Sequence, residues 1–223
     1  MENLAKSLHI LFIGDSVTDC GRDRNSATWS GHGNQLKLGD GYVFEISKLK
    51  PDWIITNMGI SGNRTSDLID RWDVDVLQQN YDLLSILIGV NDTWRAFDSN
   101  DPTSAVDFEQ RYQKLIQSAI EKNKHGKIVL CTPFILPVIK VMQDWLPDLN
   151  EKINVIKELS KKYALPIVPF NNFFDDALST YTMGELAEDG IHPTVLGHQL
   201  MAKWWLENLN QEHPEVFPQP SHT

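Results

Sequence analysis

Cysteine is scarce in this chain: Cys20 and Cys131 stand alone among 223 residues. Two cysteines make no disulfide framework and here no C-x-x-C pair, so both read as free thiols, Cys131 inside an apolar run and Cys20 close to Ser16. Positive charge is also short. Lysine and arginine total 20 against 30 aspartates and glutamates, a formal charge of −10 that argues against nucleic acid or an anionic membrane surface as partner. No apolar run approaches the ~18 residues of a membrane span. The opening stretch M-E-N-L-A-K-S is polar, with no apolar signal core, so the expectation is a cytoplasmic chain without membrane contact. Phosphate-binding glycine signatures are missing as well. There is no G-x-x-x-x-G-K-[ST] loop, and Gly14-Asp15-Ser16 lacks the further glycines of a dinucleotide fingerprint, which speaks against a nucleotide-binding module. No internal repeat, low-complexity tract or linker interrupts the chain.

What is present is a regular alternation. Apolar runs at Leu8–Ile13, Trp53–Met58, Leu83–Ile88, Lys127–Cys131 and Leu165–Val168 read as five buried strands. Between them lie segments with apolar residues at helical spacing. Val43, Ile46 and Leu49 mark one face of a helix ended by Pro51, and Leu68 and Trp72 fall at helical spacing within 63–76. Phe108, Tyr112, Leu115, Ile116 and Ala119 mark a helix with Asp101-Pro102 as cap and first turn. Leu149 to Tyr163 and Val195 to Leu209 give two more. Strands alternating with helices predict an α/β protein, a parallel five-stranded sheet with helices on both faces. Residues 1–210 are expected to form a single domain and 211–223, with Pro214, Pro218 and Pro220, a loosely held tail. Long loops are expected at Gly21–Gly39 and Pro133–Pro147, the two candidate lids.

Three blocks fall where loops leave the strands, the edge at which open α/β sheets bind ligands, and a fourth lies where a loop enters the last helix. Gly14 ends the first strand and is followed by Asp15 and Ser16; the plainer alternative is a turn that caps the next helix. Asn57-Met58-Gly59-Ile60-Ser61-Gly62-Asn63 carries two glycines three apart, suited to a tight turn with outward N–H groups or to an ordinary connection. Gly89-Val90-Asn91-Asp92 puts an amide on the same rim, able to donate to an anion or to form an Asx turn. Far down the chain, Asp189 precedes His192 by three residues, with Gly190 able to fold the loop back and Pro193 at a helix start. A carboxylate at that spacing can take the Nδ1 proton of His192 and leave Nε2 as a base. A serine hydroxyl needs such a base to become a nucleophile. His9, His125 and His198 lack such a partner and read as structural.

Taken together, these blocks resemble the GDSL, or SGNH, hydrolase family, matched by Gly14-Asp15-Ser16, Gly59-Ile60-Ser61-Gly62, Gly89-Val90-Asn91-Asp92 and Asp189-Gly190-Ile191-His192-Pro193 in the family's order. The resemblance implies a three-layer α/β/α sandwich with a flavodoxin-like sheet, and a serine esterase that needs no cofactor and no metal. It implies Ser16 as nucleophile, His192 as base and Asp189 as orienting acid. It also implies an oxyanion hole from the backbone N–H groups of Ser16 and Gly62 and the side chain of Asn91. Thr18 stands where the G-x-S-x-G elbow of ordinary α/β-hydrolases has its second glycine.

Asp19-Cys20-Gly21-Arg22, Gly41-Tyr42-Val43, Arg71-Trp72, Asn91-Asp92-Thr93-Trp94-Arg95, Phe97-Asp98 and Thr132-Pro133-Phe134 are similar to the branch holding acetyl xylan esterases and carbohydrate deacetylases. That branch implies a small-molecule or oligosaccharide ester as partner, with Asp15 and Trp94 at the substrate pocket; a homo-oligomer is compatible with it. For Trp94 a core position is the alternative. The wider family includes thioesterases and lysophospholipases, which leaves the acyl acceptor open, and a non-catalytic ligand-binding module is the rival class.

Overall fold

The computed structural model describes residues 7–24 and 35–217. Five strands, β1 (His9–Gly14), β2 (Ile54–Asn57), β3 (Leu83–Leu87), β4 (Lys127–Cys131) and β5 (Ile167–Val168), pair in parallel in the order β2-β1-β3-β4-β5. That is the flavodoxin-like order, so the expected sandwich is the one observed. The helices before β3 are α1 (Ser16–Asp19), α2 (Gln35–Leu38), α3 (Tyr42–Leu49) and α4 (Thr65–Trp72). After β3 follow α5 (Val90–Asp98), α6 (Ala105–Lys122), α7 (Leu146–Tyr163), α8 (Phe170–Ala177), α9 (Met183–Leu186) and α10 (Val195–Glu212).

Side chains alternate across a strand, and the two faces of the sheet divide accordingly. Ile10 and Phe12 of β1 join Val129 of β4 in a core completed by Tyr42 and Ile46 of α3, Phe170 and Phe174 of α8, and Met201 and Trp205 of α10. Leu11 and Ile13 face the other way, with Leu84, Ile86, Ile128 and Leu130, under Leu68 and Trp72 of α4, Phe108 to Ala119 of α6, and Ile156 and Leu159 of α7. The crossover from β1 to β2 therefore packs on one face, and those from β2 to β3, β3 to β4 and β4 to β5 on the other. The order in which strands are added reverses between the neighbouring parallel strands β1 and β3, and their carboxyl ends form the crevice that such a switch point leaves open. A third, smaller cluster of Val90, Ile135, Met142, Trp145, Leu149, Ile153 and Ile191 sits beside that crevice. No helix among the described residues is long and apolar enough to cross a membrane.

Several boundaries differ from expectation. The helix placed at Asp101-Pro102 begins at Ala105, because Ser104 caps it: its Oγ accepts the Asp107 N–H at 3.1 Å and donates to Asp107 Oδ2 at 2.7 Å. Asp101 instead meets Arg64 at 2.7 Å. The Gly89–Asp92 block is helix rather than loop, since Gly89 with φ +130° turns the chain directly from β3 into α5. Pro133–Pro147 is less open than its composition suggests: a 3-10 turn over Lys140–Trp145 buries Met142 and Trp145 and runs into α7, with Pro147 in its first turn. Of the other expected loop, 35–38 is helical and 25–34 lie outside the described residues. Of the expected tail, 211–217 are packed: α10 runs to Glu212, Val216 is buried, and the Phe217 ring stacks on Trp53 at 5.3 Å. Residues 218–223 lie outside the described residues.

Candidate active site

β1 leads straight to Ser16. A side chain at Gly14 would place Cβ 2.2 Å from the Leu87 carbonyl oxygen and 2.6 Å from Thr18 Oγ1, so only glycine lets the strand turn there. Asp15 then caps α1 by accepting the Val17 N–H at 3.0 Å. It leaves Ser16 half-exposed while Val17, Thr18 and Asp19 are buried. Burial pushes the Asp15 carboxyl up to about 7, opposed by the Val17 N–H.

The loop after β2 is docked against this turn. Gly59 lies so close that a Cβ would meet Asp19 N at 2.3 Å and Thr18 C at 2.7 Å. Asp19 Oδ2 accepts both the Ser61 N–H and the Ser61 hydroxyl at 2.8 Å, and Arg24 donates to the same oxygen. Asn57 donates to the carbonyls of Thr18 (2.6 Å) and Leu38 (2.8 Å) and accepts the Gly59 N–H at 2.9 Å. Arg71 donates to the carbonyls of Gly14 (3.1 Å) and Met58 (2.7 Å) and to Asn63 Oδ1 (2.7 Å). Gly62 takes φ +83°, a left-handed turn that exposes its backbone at the rim.

On α5, Asn91 is almost wholly buried and donates from Nδ2 to the Asn63 carbonyl at 3.1 Å, which fixes the plane of its amide. Asp92 accepts the Thr65 N–H (3.0 Å) and hydroxyl (2.6 Å), tying the start of α4 to α5. Burial raises the Asp92 carboxyl, the Thr65 donors opposing it.

His192 arrives from the far end of the sequence. Its Nε2 lies 2.8 Å from Ser16 Oγ and its Nδ1 2.6 Å from Asp189 Oδ2. Asp189 Oδ1 accepts the backbone N–H groups of His192 (2.7 Å) and Ile191 (2.9 Å), with Gly190 at φ +82° closing the turn. Partial burial works against the Asp189 charge, but the hydrogen bonds from the His192 ring and from these two amides outweigh it and hold the carboxyl below its usual range. An ionised acid at Nδ1 keeps the proton on that nitrogen and leaves Nε2 to accept from Ser16.

Ser16, Gly62, Asn91, Trp94 and His192 line one cavity of about 440 Å³, together with Val17, Cys20, Ser61, Arg95, Pro193 and His198. Three separate blocks from the first half of the sequence and one distant block thus meet on a single opening. A match to the family model described as GDSL-like Lipase/Acylhydrolase spans residues 12–200, which includes every one of these residues.

The chain belongs to this GDSL-like family.

A curated acetylxylan esterase from Geobacillus stearothermophilus is 32% identical over 91% of this chain and 94% of its own length. Among solved structures, a protein described as a GDSL-like lipase from Parabacteroides merdae has TM-score 0.85 at 37% identity, covering 93% of this chain and 98% of that one. A variant of the Geobacillus stearothermophilus acetyl xylan esterase has TM-score 0.78 at 32% identity, covering 91% and 94%. Other structures of that esterase are catalytic mutants in which a serine or a histidine is replaced by alanine.

Within this GDSL-like site, Trp94 holds both positions the sequence left open. It packs against the third apolar cluster, 6.0 Å from the Trp145 ring, and lies 6.3 Å from the His192 ring on the cavity wall. Asp15, expected at the substrate pocket, is instead buried behind the wall, because its carboxyl is taken up in capping α1. The sequence reading missed Asn57, Asp19 and Arg71 as the residues that fasten the serine turn, and Thr65 with Asp92. A buried polar residue at the end of an apolar strand, as Asn57 is, was the available signal. His198 is structural as expected: its Nδ1 accepts the Tyr42 N–H at 3.1 Å, so Nε2–H points to Cys20 Sγ at 3.3 Å, and burial lowers its pKa to about 4. No group of three or more His, Cys, Asp or Glu among the described residues is arranged to hold a metal ion.

Proposed function

We propose that this protein is a serine esterase that hydrolyses short-chain carboxylic esters through an acyl-enzyme, with acetylated sugars or oligosaccharides as its substrates. The observation that carries the reading is the unbroken hydrogen-bonded chain Ser16–His192–Asp189 at the edge of the cavity. Family membership supports a carboxylic ester hydrolase, and the similarity to an acetylxylan esterase over most of the chain supports deacetylation.

In this reading His192 Nε2 takes the proton of Ser16 Oγ as the oxygen attacks the ester carbonyl. Asp189 keeps the imidazole in the required tautomer and offsets its positive charge. The developing oxyanion accepts hydrogen bonds from the N–H of Ser16, the N–H of Gly62 and Asn91 Nδ2. The Asn91 amide has a second N–H beyond the one held by Asn63. Donors placed in advance lose no free energy to reorientation in the transition state. His192 then protonates the departing alcohol, and the same base activates water to release the acid and restore Ser16. The half-exposed histidine and aspartate suit a shallow site open to a bulky alcohol.

Hydrolysis of p-nitrophenyl acetate by wild type and Ser16→Ala tests the reading. Loss of about 10⁴-fold or more in the variant, with acetate released from acetylated xylo-oligosaccharides by the wild type alone, is the expected result. Equal activity in both proteins would remove Ser16 from its role. Equal inactivity of two folded proteins would remove the esterase.

A further inference from the structure

Asn91, Trp94 and Arg95 stand at i, i+3 and i+4 along α5, so they share one helix face, and all three line the cavity beside Ser16 and His192. The fold accounts for two of them. Asn91 is fixed by the Asn63 carbonyl, and Trp94 packs on Trp145. Arg95 is different. It is the single lysine or arginine among the lining residues, and its guanidinium lies 5.0 Å from the centroid of the Trp94 ring. Nη1 donates to Asp98, while Nε is shielded from solvent and has no hydrogen-bond partner among the described residues.

The chemistry of this group selects its ligand. Asp98 already balances the arginine's charge, so a free carboxylate would gain little attraction and would meet a second carboxylate. A donor and an acceptor side by side next to an aromatic ring match vicinal hydroxyls, whose oxygens both accept and donate. Four residues of helix separate Arg95 from Asn91, an advance of about 6 Å. An acetyl methyl group has nothing to offer a guanidinium; the alcohol side of the ester does. We propose that Arg95 is a specificity-determining residue that binds a hydroxyl or ring oxygen of a sugar as the leaving alcohol, while Asn91 serves the reacting carbonyl. This rests on the esterase reading above and extends it to the alcohol.

The test compares wild type, Arg95→Leu and Arg95→Lys on acetylated xylotriose and on p-nitrophenyl acetate. The ratio of the two kcat/KM values is expected to fall at least tenfold in Arg95→Leu, chiefly through KM on the sugar ester, and to recover in part in Arg95→Lys. An unchanged ratio would overturn the proposal, as would a loss confined to an anionic ester such as p-nitrophenyl succinate. Calorimetry gives a second readout free of turnover. Acetylated xylotriose should bind Ser16→Ala about tenfold more tightly than Ser16→Ala with Arg95→Leu, or with Arg95→Gln should the leucine variant not fold. Equal Kd values, or no binding to Ser16→Ala, would overturn the proposal. If wild type cleaves neither ester while this difference in Kd holds, it is the esterase reading that fails and the sugar contact that stands.

Discussion

Ser16 stands on a turn fastened by residues distant in sequence, whereas His192 is oriented by Asp189, three residues away. On the serine side, Asn57, Ser61 and Arg71 reach back to Gly14, Thr18 and Asp19, and Gly59 is pressed against the same backbone. These contacts are buried or partly buried and form only when β1, β2 and α4 are assembled. On the histidine side, one carboxylate accepts the imidazole and two backbone amides within a four-residue turn that is half open to solvent. The contrast has a physical sense. In the proposed esterase the serine must be held where the sheet, the oxyanion donors and the attacked carbonyl meet, and that place is defined only by tertiary contacts. The base needs a tautomer and a direction, and a short loop can supply both.

After Ser16→Ala, the largest expected effect lies at the wall shared by both sides. Asn91→Ala should lower kcat about 10²–10³-fold with KM moved only a few-fold, because the amide acts on charge that develops in the transition state. Steady-state kinetics on p-nitrophenyl acetate checks this; an equal change in KM would make Asn91 a substrate-binding group instead.

Asn57→Ala breaks the serine side away from the chemistry. It orphans two carbonyls and one N–H in a buried site, at a cost of about 3 kcal/mol. For a chain of this size that is roughly 6–12 °C of Tm, readable by calorimetry, with activity falling alongside. Asp189→Asn attacks the other side. A buried acid of this kind is worth about 10⁴ in kcat, and Asp189, half open to water, should cost roughly 10². Its Tm should move by no more than about 2 °C, since no buried network is broken. If Asn57→Ala left Tm unmoved, or Asp189→Asn melted early, the contrast between the two sides would collapse.

A pH dependence, with no expected change in turnover, sharpens the comparison further. The Asp15 carboxyl is about 7 in the folded protein against an ordinary 3.8, so the folded state holds a proton that the unfolded chain has released. Stability from this group therefore falls as pH rises from about 4 to about 7 and levels off above. Asp15→Asn keeps an oxygen for the Val17 N–H and should flatten that slope in urea midpoints taken at pH 5 and pH 7.5.

How much was legible follows from the same physics. Strands buried on both faces announce themselves as apolar runs, so all five were found, Lys127–Cys131 to the residue. Ser16, Gly62, Asn91, Asp189 and His192, the residues of the proposed site, could be singled out because each sits in a short block whose glycine or proline marks a turn. α5 was missed because its first turn is polar and follows a glycine, the pattern of a loop. α8 was missed because Phe170 to Ala177 follows a two-residue strand too short to set it off. Asn57, Asp19 and Arg71 were passed over since a polar side chain shows its importance only through partners, and theirs lie 2 to 57 residues away, most of them beyond a local turn.

By itself the sequence determined the parallel sheet, the turn chemistry and the local pairing of Asp189 with His192, because periodicity and short-range hydrogen bonding are properties of neighbouring residues. The tertiary structure alone decided that Ser16 and His192, 176 positions apart, meet at 2.8 Å, and that Asp15 is buried while Arg95 faces the cavity. Those outcomes depend on how strands and helices pack, and on which polar groups are left without water once they do.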